Sequence, residues 1–258
     1  SLSKEEQLVI IDQCIEYNYK VFTIPSISDW EDQKEISQKV KNIQIEDLLE
    51  REPIVLDNIS ISKQLRGKTI LITGAAGSIG SEIVRQVLTF EPQKVIILDQ
   101  AETPLHHISL EVECIKESTQ IHTVIADIRD RVAIEKVFKL YRPEVVYHAA
   151  AYKHVPLMEE NPSQAILTNV NGTKNLADLS CEYGVVKFVM ISTDKAVNPS
   201  NVMGASKRIA EKYVQSLHLK CKENNKLYAT KFITTRFGNV LGSNGSVVPL
   251  FTKQISEG

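Results

Sequence analysis

The side chains best suited to chemistry follow one another in Ser192-Thr-Asp-Lys195, at the end of the apolar run Phe188–Ile191. A hydroxyl, a carboxyl and an amine in that order can donate, accept and exchange protons with a bound ligand. Eight residues on, Met203-Gly-Ala-Ser-Lys207 opens a helical stretch. Met203 and Lys207 are four apart and share one helix face. Upstream, Tyr152-Lys-His-Val-Pro-Leu-Met-Glu159 adds Lys153, His154 and an acid. Isolated residues of that kind are as often merely solvated as functional.

These groups need a scaffold that holds a ligand against them, and Lys68–Leu88 supplies one. Thr69–Ile72 is a short β-branched run that reads as a buried strand. Gly74, Gly77 and Gly80 follow three residues apart, then Ile79, Ile83, Val84 and Val87 at helical spacing. Strand, glycine turn and helix aim backbone N–H groups and a positive helix end at one point, where a pyrophosphate can sit. A Cβ would block both the turn and the phosphate. The cradle so defined runs through Gly74, Ala76, Gly77, Ser78, Ile79 and Gly80. Glycine triplets alone are weak evidence. Here a second apolar strand, Lys94–Leu98, ends in Asp99, 19 residues after Gly80. A ribose-binding acid is expected about 20 residues on. Asp99 on the ribose 2′-hydroxyl would repel a 2′-phosphate, so the expected cofactor is NAD.

Composition narrows the class. The chain has 258 residues, 43% hydrophobic and 24% charged, enough for one large or two small globular domains. A net charge of −2 leaves no basic excess for nucleic acid. Cys14, Cys114, Cys181 and Cys221 are dispersed, which argues for a reducing, cytoplasmic compartment and against a disulfide frame or zinc site. No apolar run approaches the ~18 residues of a membrane span, and no signal peptide is legible.

From Lys68 onward strands alternate with helices. The expected strands are Lys68–Thr73, Lys94–Asp99, Ile121–Ala126, Val145–His148, Lys187–Ser192 and Phe232–Arg236. The helices between them are Ser78–Phe90, Glu102–Glu117, Asp130–Tyr141, Pro162–Tyr183 and Asn201–Lys222, with another at Ser246–Glu257. Apolar strands with long crossovers predict an α/β, doubly wound parallel sheet with its site at the carboxyl strand ends. Residues 1–66 differ. A helix at 3–14, a strand at Tyr19–Ile24 and a short helix at 45–51 cannot close a core. They read as the end of a preceding α/β domain plus linker, followed by the Rossmann-type domain, residues 67–258.

Further candidates sit at strand ends. Asp127, beside Ile128, could accept from an adenine amino group or cap a helix, although Asp130 is better placed to cap. Ala149-Ala-Ala151 would let backbone lie against a flat cofactor, or simply pack closely. Thr168-Asn-Val-Asn-Gly-Thr173 puts poor helix formers inside a long helix. That suggests close packing or a polar network with the active site.

Taken jointly, Thr73-Gly-x-x-Gly-x-x-Gly80, Asp127, His148-Ala-Ala-Ala-Tyr-Lys-His-Val-Pro156, Asn169-x-Asn-Gly-Thr173, Ser192-Thr-Asp-Lys-Ala-Val-Asn-Pro199, Met203-x-x-x-Lys207 and Arg236-Phe-Gly-Asn-Val240 resemble the extended short-chain dehydrogenase/reductase superfamily. Within it they are similar to the CapD-like polysaccharide-biosynthesis proteins, nucleotide-sugar 4,6-dehydratases acting on UDP-N-acetylglucosamine. The likeness covers essentially all of Lys68–Gly258. Residues 1–52 are similar to the end of a second nucleotide-binding-like domain found in large members.

The resemblance implies bound NAD, held by the glycine cradle, Asp99, Asp127, Ile128, Ala149, Ala150, Ala151 and Lys207. It implies a UDP-sugar contacted by Lys153, His154, Asn169 and Asn239. Thr193 would hydrogen-bond near O4, Asp194 would be the acid and Lys195 the base of elimination, and Lys207 would orient the nicotinamide ribose. Met203 stands where the superfamily normally has a tyrosine base; large CapD-like members share that departure. It is expected to face the nicotinamide as an apolar lid. Members continue past Gly258 into segments that complete the sugar site. Large members carry transmembrane helices, so the full-length protein is expected at the cytoplasmic face of a bacterial inner membrane, with a homo-oligomer a further expectation. A C4-epimerase and a non-catalytic dinucleotide sensor are the rival readings.

Overall fold

The computed structural model describes residues 57–113, 119–223, 230–238 and 240, with the strand residues Phe22–Thr23 and Lys41–Asn42. The chain divides into two compact units, Ser1–Leu56 and Asp57–Gly258. In the first, Phe22–Thr23 pairs antiparallel with Lys41–Asn42. The helices expected at 3–14, 45–51 and 246–257 lie outside the described residues. The second unit begins ten residues before the expected boundary at 66/67, because helix α1 (Asn58–Leu65) packs Leu65 into its core.

Six parallel strands form the sheet: β1 (Thr69–Thr73), β2 (Lys94–Asp99), β3 (Gln120–Ile125), β4 (Val145–His148), β5 (Lys187–Thr193) and β6 (Lys231–Phe237). Their order is β3-β2-β1-β4-β5-β6, that of the Rossmann fold. Central strands are covered on both faces, so β1 is buried throughout, whereas the edge strands β3 and β6 each expose several residues. Alternation divides the strand residues between two cores. Leu71, Ile96, Leu98, Val146 and Phe188 face helices α4 (Arg131–Tyr141), α7 (Thr173–Glu182) and α8 (Val202–Glu223). Ile70, Ile72, Val95 and Ile97 face α1, α2 (Ser78–Leu88) and α3 (Glu102–Glu113). Among the described residues no helix is long and apolar enough to cross a membrane.

Two elements differ from expectation. The loop after β4 contains a short helix, α5 (Val155–Glu160), because Pro156 supplies a preset φ at its start. The helix expected at Pro162–Tyr183 is interrupted. After α6 (Pro162–Ala165), a π-helical stretch covers Ile166–Gly172 before α7 begins. A side chain at Gly172 would meet Ile128 at 2.5 Å, so the glycine admits Ile128 against the helix.

Candidate functional site

Strand order reverses between β1 and β4, and the loops after these strands meet there. The Ala149 N–H donates to the Thr73 carbonyl at 2.9 Å. Gly74 has φ +70°, and a Cβ on it would lie 2.4 Å from the Ala150 nitrogen. A Cβ on Gly80 would lie 1.9 Å from the Gly74 carbonyl oxygen, so only glycine lets α2 press onto the turn. Gly77, by contrast, is exposed, opens α2 and has no side-chain cap. A tight turn, an open backbone and a close helix contact are the three demands a pyrophosphate cradle makes of its glycines.

The turn is fastened to β2. Asp99 accepts from the Ala76 N–H through Oδ2 and from the Ala101 N–H through Oδ1, both at 3.0 Å. Ser78 and Ile79 form the half-buried start of α2. Gly74, Gly77, Asp99, Ile128 and Ala149–Ala151 line one cleft. Asp127 stands beside it, both carboxylate oxygens engaged by Arg129 at 2.7 and 2.9 Å. Burial pushes Asp127 up, but the Arg129 hydrogen bonds and charge outweigh it and hold it below the usual carboxylate range. Asp130 caps α4 instead, accepting from the Ala133 N–H at 3.0 Å.

Sequence reasoning passed over Thr168 in this cleft. The residue lines the cleft, and its hydroxyl is buried with no hydrogen-bond partner. A buried orphan hydroxyl is destabilising unless a ligand satisfies it. With the glycine cradle, it is the observation that fits these residues to a dinucleotide. The only local signal was its place in a run of poor helix formers.

A buried polar chain links the walls. Thr173 Oγ1 donates to the Asn169 carbonyl at 2.7 Å, so it must accept from His148 Nε2–H at 2.8 Å. His148 Nδ1 then accepts from Thr73 Oγ1 at 2.8 Å. Burial, and then the Lys207 charge, lower His148 to about 3, so the ring is neutral. Asn169, expected on the substrate, is fully buried and spent elsewhere. Its Oδ1 accepts from the Tyr152 N–H at 2.8 Å, and its Nδ2 donates to the Tyr152 carbonyl and Ser206 Oγ, each at 3.0 Å. These bonds clamp the chain leaving β4. Lys153 and His154 are exposed on the turn before α5. Asn239 lies outside the described residues.

The proton-handling groups gather at the end of β5. Thr193 Oγ1 donates to Asp194 Oδ1 at 2.9 Å, and Lys195 Nζ pairs with the same oxygen at 3.3 Å. The Thr193 hydrogen bond, partly opposed by burial and aided by Lys195, holds Asp194 below the usual carboxylate range. Lys207 is buried on α8 and donates to the Ile191 carbonyl of β5 at 2.7 Å. Burial pulls it down to about 8, and the Glu211 charge keeps it from falling further. Glu211, also missed, is fully buried and accepts Arg236 bidentately at 2.6 and 2.9 Å and Arg208 at 3.2 Å. Met203 lies one helical turn before Lys207 on α8. It is buried in a small apolar cluster with Met158 and Ala165, and Tyr152, Val155 and Val202 pack against it. No group of three or more potential metal ligands occurs among the described residues.

Comparison with known proteins identifies the family. The sequence profile of the polysaccharide biosynthesis protein family matches residues 70–258. The capsular polysaccharide biosynthesis protein CapD of Staphylococcus aureus is 51% identical over 240 residues, 93% of this chain and 39% of that protein. A UDP-N-acetylglucosamine 4,6-dehydratase (inverting) of Campylobacter jejuni is 40% identical over 194 residues, 74% of this chain and 55% of the enzyme. A UDP-glucose 4-epimerase of Rickettsia canadensis is 33% identical over 195 residues, 74% of this chain and 54% of the enzyme. Among solved structures, Pen from Bacillus thuringiensis superposes with a TM-score of 0.69 at 35% identity, covering 75% of this chain and 57% of that one. The chain thus spans between 39% and 57% of the length of these proteins. With its Rossmann-type sheet, glycine cradle and family-wide match, this chain belongs to the polysaccharide biosynthesis protein family.

Proposed function

We propose that this chain is the catalytic unit of a nucleotide-sugar 4,6-dehydratase that converts UDP-N-acetylglucosamine to a UDP-4-keto-6-deoxy sugar, with NAD as cofactor. The observation that carries the reading is the contiguous Thr193–Asp194–Lys195 relay at the end of β5. Epimerisation needs no acid and base for elimination. In this reading the first unit is the end of a preceding nucleotide-binding-like domain, and the intact protein is anchored at the cytoplasmic face of the membrane and assembles as a homo-oligomer.

The cradle takes the pyrophosphate, Asp99 the adenosine ribose, Asp127 and Ile128 the adenine, and Lys207 the nicotinamide ribose, while Thr168 offers its unused hydroxyl. A bound nicotinamide supplies a reversible hydride acceptor that makes C4 a ketone and later reduces C6. The ketone acidifies the C5 proton. Elimination then needs Asp194 protonated and Lys195 neutral, the reverse of the resting ion pair. A direct swap between such groups costs about 9 kcal/mol in water.

Oxidation at C4 supplies the proton that Asp194 needs. The O4 proton passes to Thr193 Oγ1 as that hydroxyl gives its own proton to Asp194 Oδ1. With Asp194 neutral, the ion pair that held the half-exposed Lys195 amine is gone, and the amine is free to act as the base. Lys195 Nζ then removes the C5 proton while Asp194 protonates O6, and water leaves. Reprotonation at C5 completes the product. The test is NMR of intact protein given UDP-N-acetylglucosamine and NAD. A new C6 methyl beside a C4 ketone is expected; formation of only the C4 epimer would replace this reading with an epimerase.

A further inference from the structure

Helix α8 carries Lys207, and its first turn is held from several sides. Asn201 Oδ1 accepts from the Gly204 N–H at 2.8 Å, and Glu159 Oε1 of α5 accepts from the Val202 N–H at 2.7 Å. Asn169 Nδ2 bonds Ser206 Oγ, and Lys207 Nζ bonds the Ile191 carbonyl. This turn therefore has a fixed place against β5. Facing it is the 3₁₀ turn Asp194–Ala196, which bears the relay. A Cβ on Gly204 would lie 2.4 Å from the Lys195 carbonyl oxygen and 3.1 Å from its carbon. Glycine is the poorest helix former after proline, so one inside a helix points to a packing demand.

We infer that Gly204 is a positioning residue that sets the separation between Lys207 and the Asp194–Lys195 pair. The missing side chain lets α8 abut the backbone of Lys195. A methyl there would push the 3₁₀ turn away by about 1 Å, and a displacement of that size can cost about 10²-fold in rate. The geometric part stands on the contact itself; the catalytic consequence rests on the dehydratase reading.

The test compares Gly204→Ala with wild type in the intact protein. Backbone amide NMR signals of Asp194, Lys195 and Ala196 should move, while those of Gly74, Gly77 and Ala150 hold still. NAD affinity by calorimetry should stay within about twofold, and kcat for dehydration should fall about 100-fold with little change in KM. Asn201→Ala removes the acceptor of the Gly204 N–H without adding bulk, and should lower kcat by about three- to tenfold at unchanged NAD affinity. If Gly204→Ala does not fold, this second variant decides, and wild-type kcat in it overturns the proposal. Unmoved Asp194–Ala196 signals in Gly204→Ala, or a loss of rate matched by loss of NAD affinity, also overturn it. Moved signals in a protein whose wild type makes no dehydration product would support the positioning role and sink the dehydratase reading instead.

Discussion

The glycine cradle and the β5 relay sit at the same edge of one sheet but are made differently. The cradle is backbone: Gly74 and Gly80 lie so close to neighbouring chain that a single added carbon would collide. The relay is side chain: Asp194 is exposed and Lys195 half-buried, held by hydrogen bonds and charge. One part has its shape set by packing before a ligand arrives. The other keeps groups that can exchange protons with a ligand and with water. Binding and chemistry should therefore fail separately when each part is altered.

The largest separation is expected at Lys195. Lys195→Ala should slow exchange of the C5 proton by at least about 10³-fold. NAD affinity by calorimetry should change less than twofold. Equal losses in both would erase the distinction between the two regions.

Gly80→Ala should do the reverse. Overpacking the turn should lower stability by about 3 kcal/mol in urea unfolding and abolish NAD binding. A variant that folds and binds as wild type would show that the cradle is not sterically closed.

His148 ties β1, which leads into the cradle, to helix α7, and its signature is acid lability. The unfolded chain binds a proton below about pH 6.5, whereas the folded ring stays neutral down to about 3. Stability due to this group is complete above pH 6.5 and is lost as pH falls towards 3. Between pH 7 and pH 5 that loss is about 2 kcal/mol. Urea midpoints of His148→Gln should show the drop reduced by that amount; an unchanged drop would place the acid sensitivity elsewhere.

Thr168→Val gives the smallest and most discriminating effect. Removing an orphan hydroxyl should leave the ligand-free protein unchanged or more stable by about 1 kcal/mol, yet weaken NAD binding about tenfold. Destabilisation without loss of affinity would mean that Thr168 serves the fold alone.

The sequence shows the cradle more clearly than the relay's supports, and for a physical reason. Gly74, Gly77 and Gly80 answer a local steric demand, so their spacing is visible within seven residues. Asp99 and the buried strands follow from the same short-range pattern. Gly172 answers a contact with Ile128, far back along the chain, and Gly204 one with the backbone of Lys195 across the intervening loop, and no local pattern names either partner. Glu211 is an ordinary helix acid until Arg236 of β6 folds against it. Asn169 attracted notice because asparagine is a poor helix former, but its partners turned out to be the Tyr152 backbone and Ser206. Met203 was legible as a residue unable to hold a proton; its place beside Met158 was not.

The most direct test of the dehydratase account is the fate of hydrogen in one turnover by the intact protein. UDP-N-acetylglucosamine carrying deuterium at C4 should give a 4-keto-6-deoxy product with that deuterium on C6 and a solvent hydrogen at C5. Recovery of UDP-N-acetylgalactosamine with deuterium still on C4 and C5 unexchanged would contradict it.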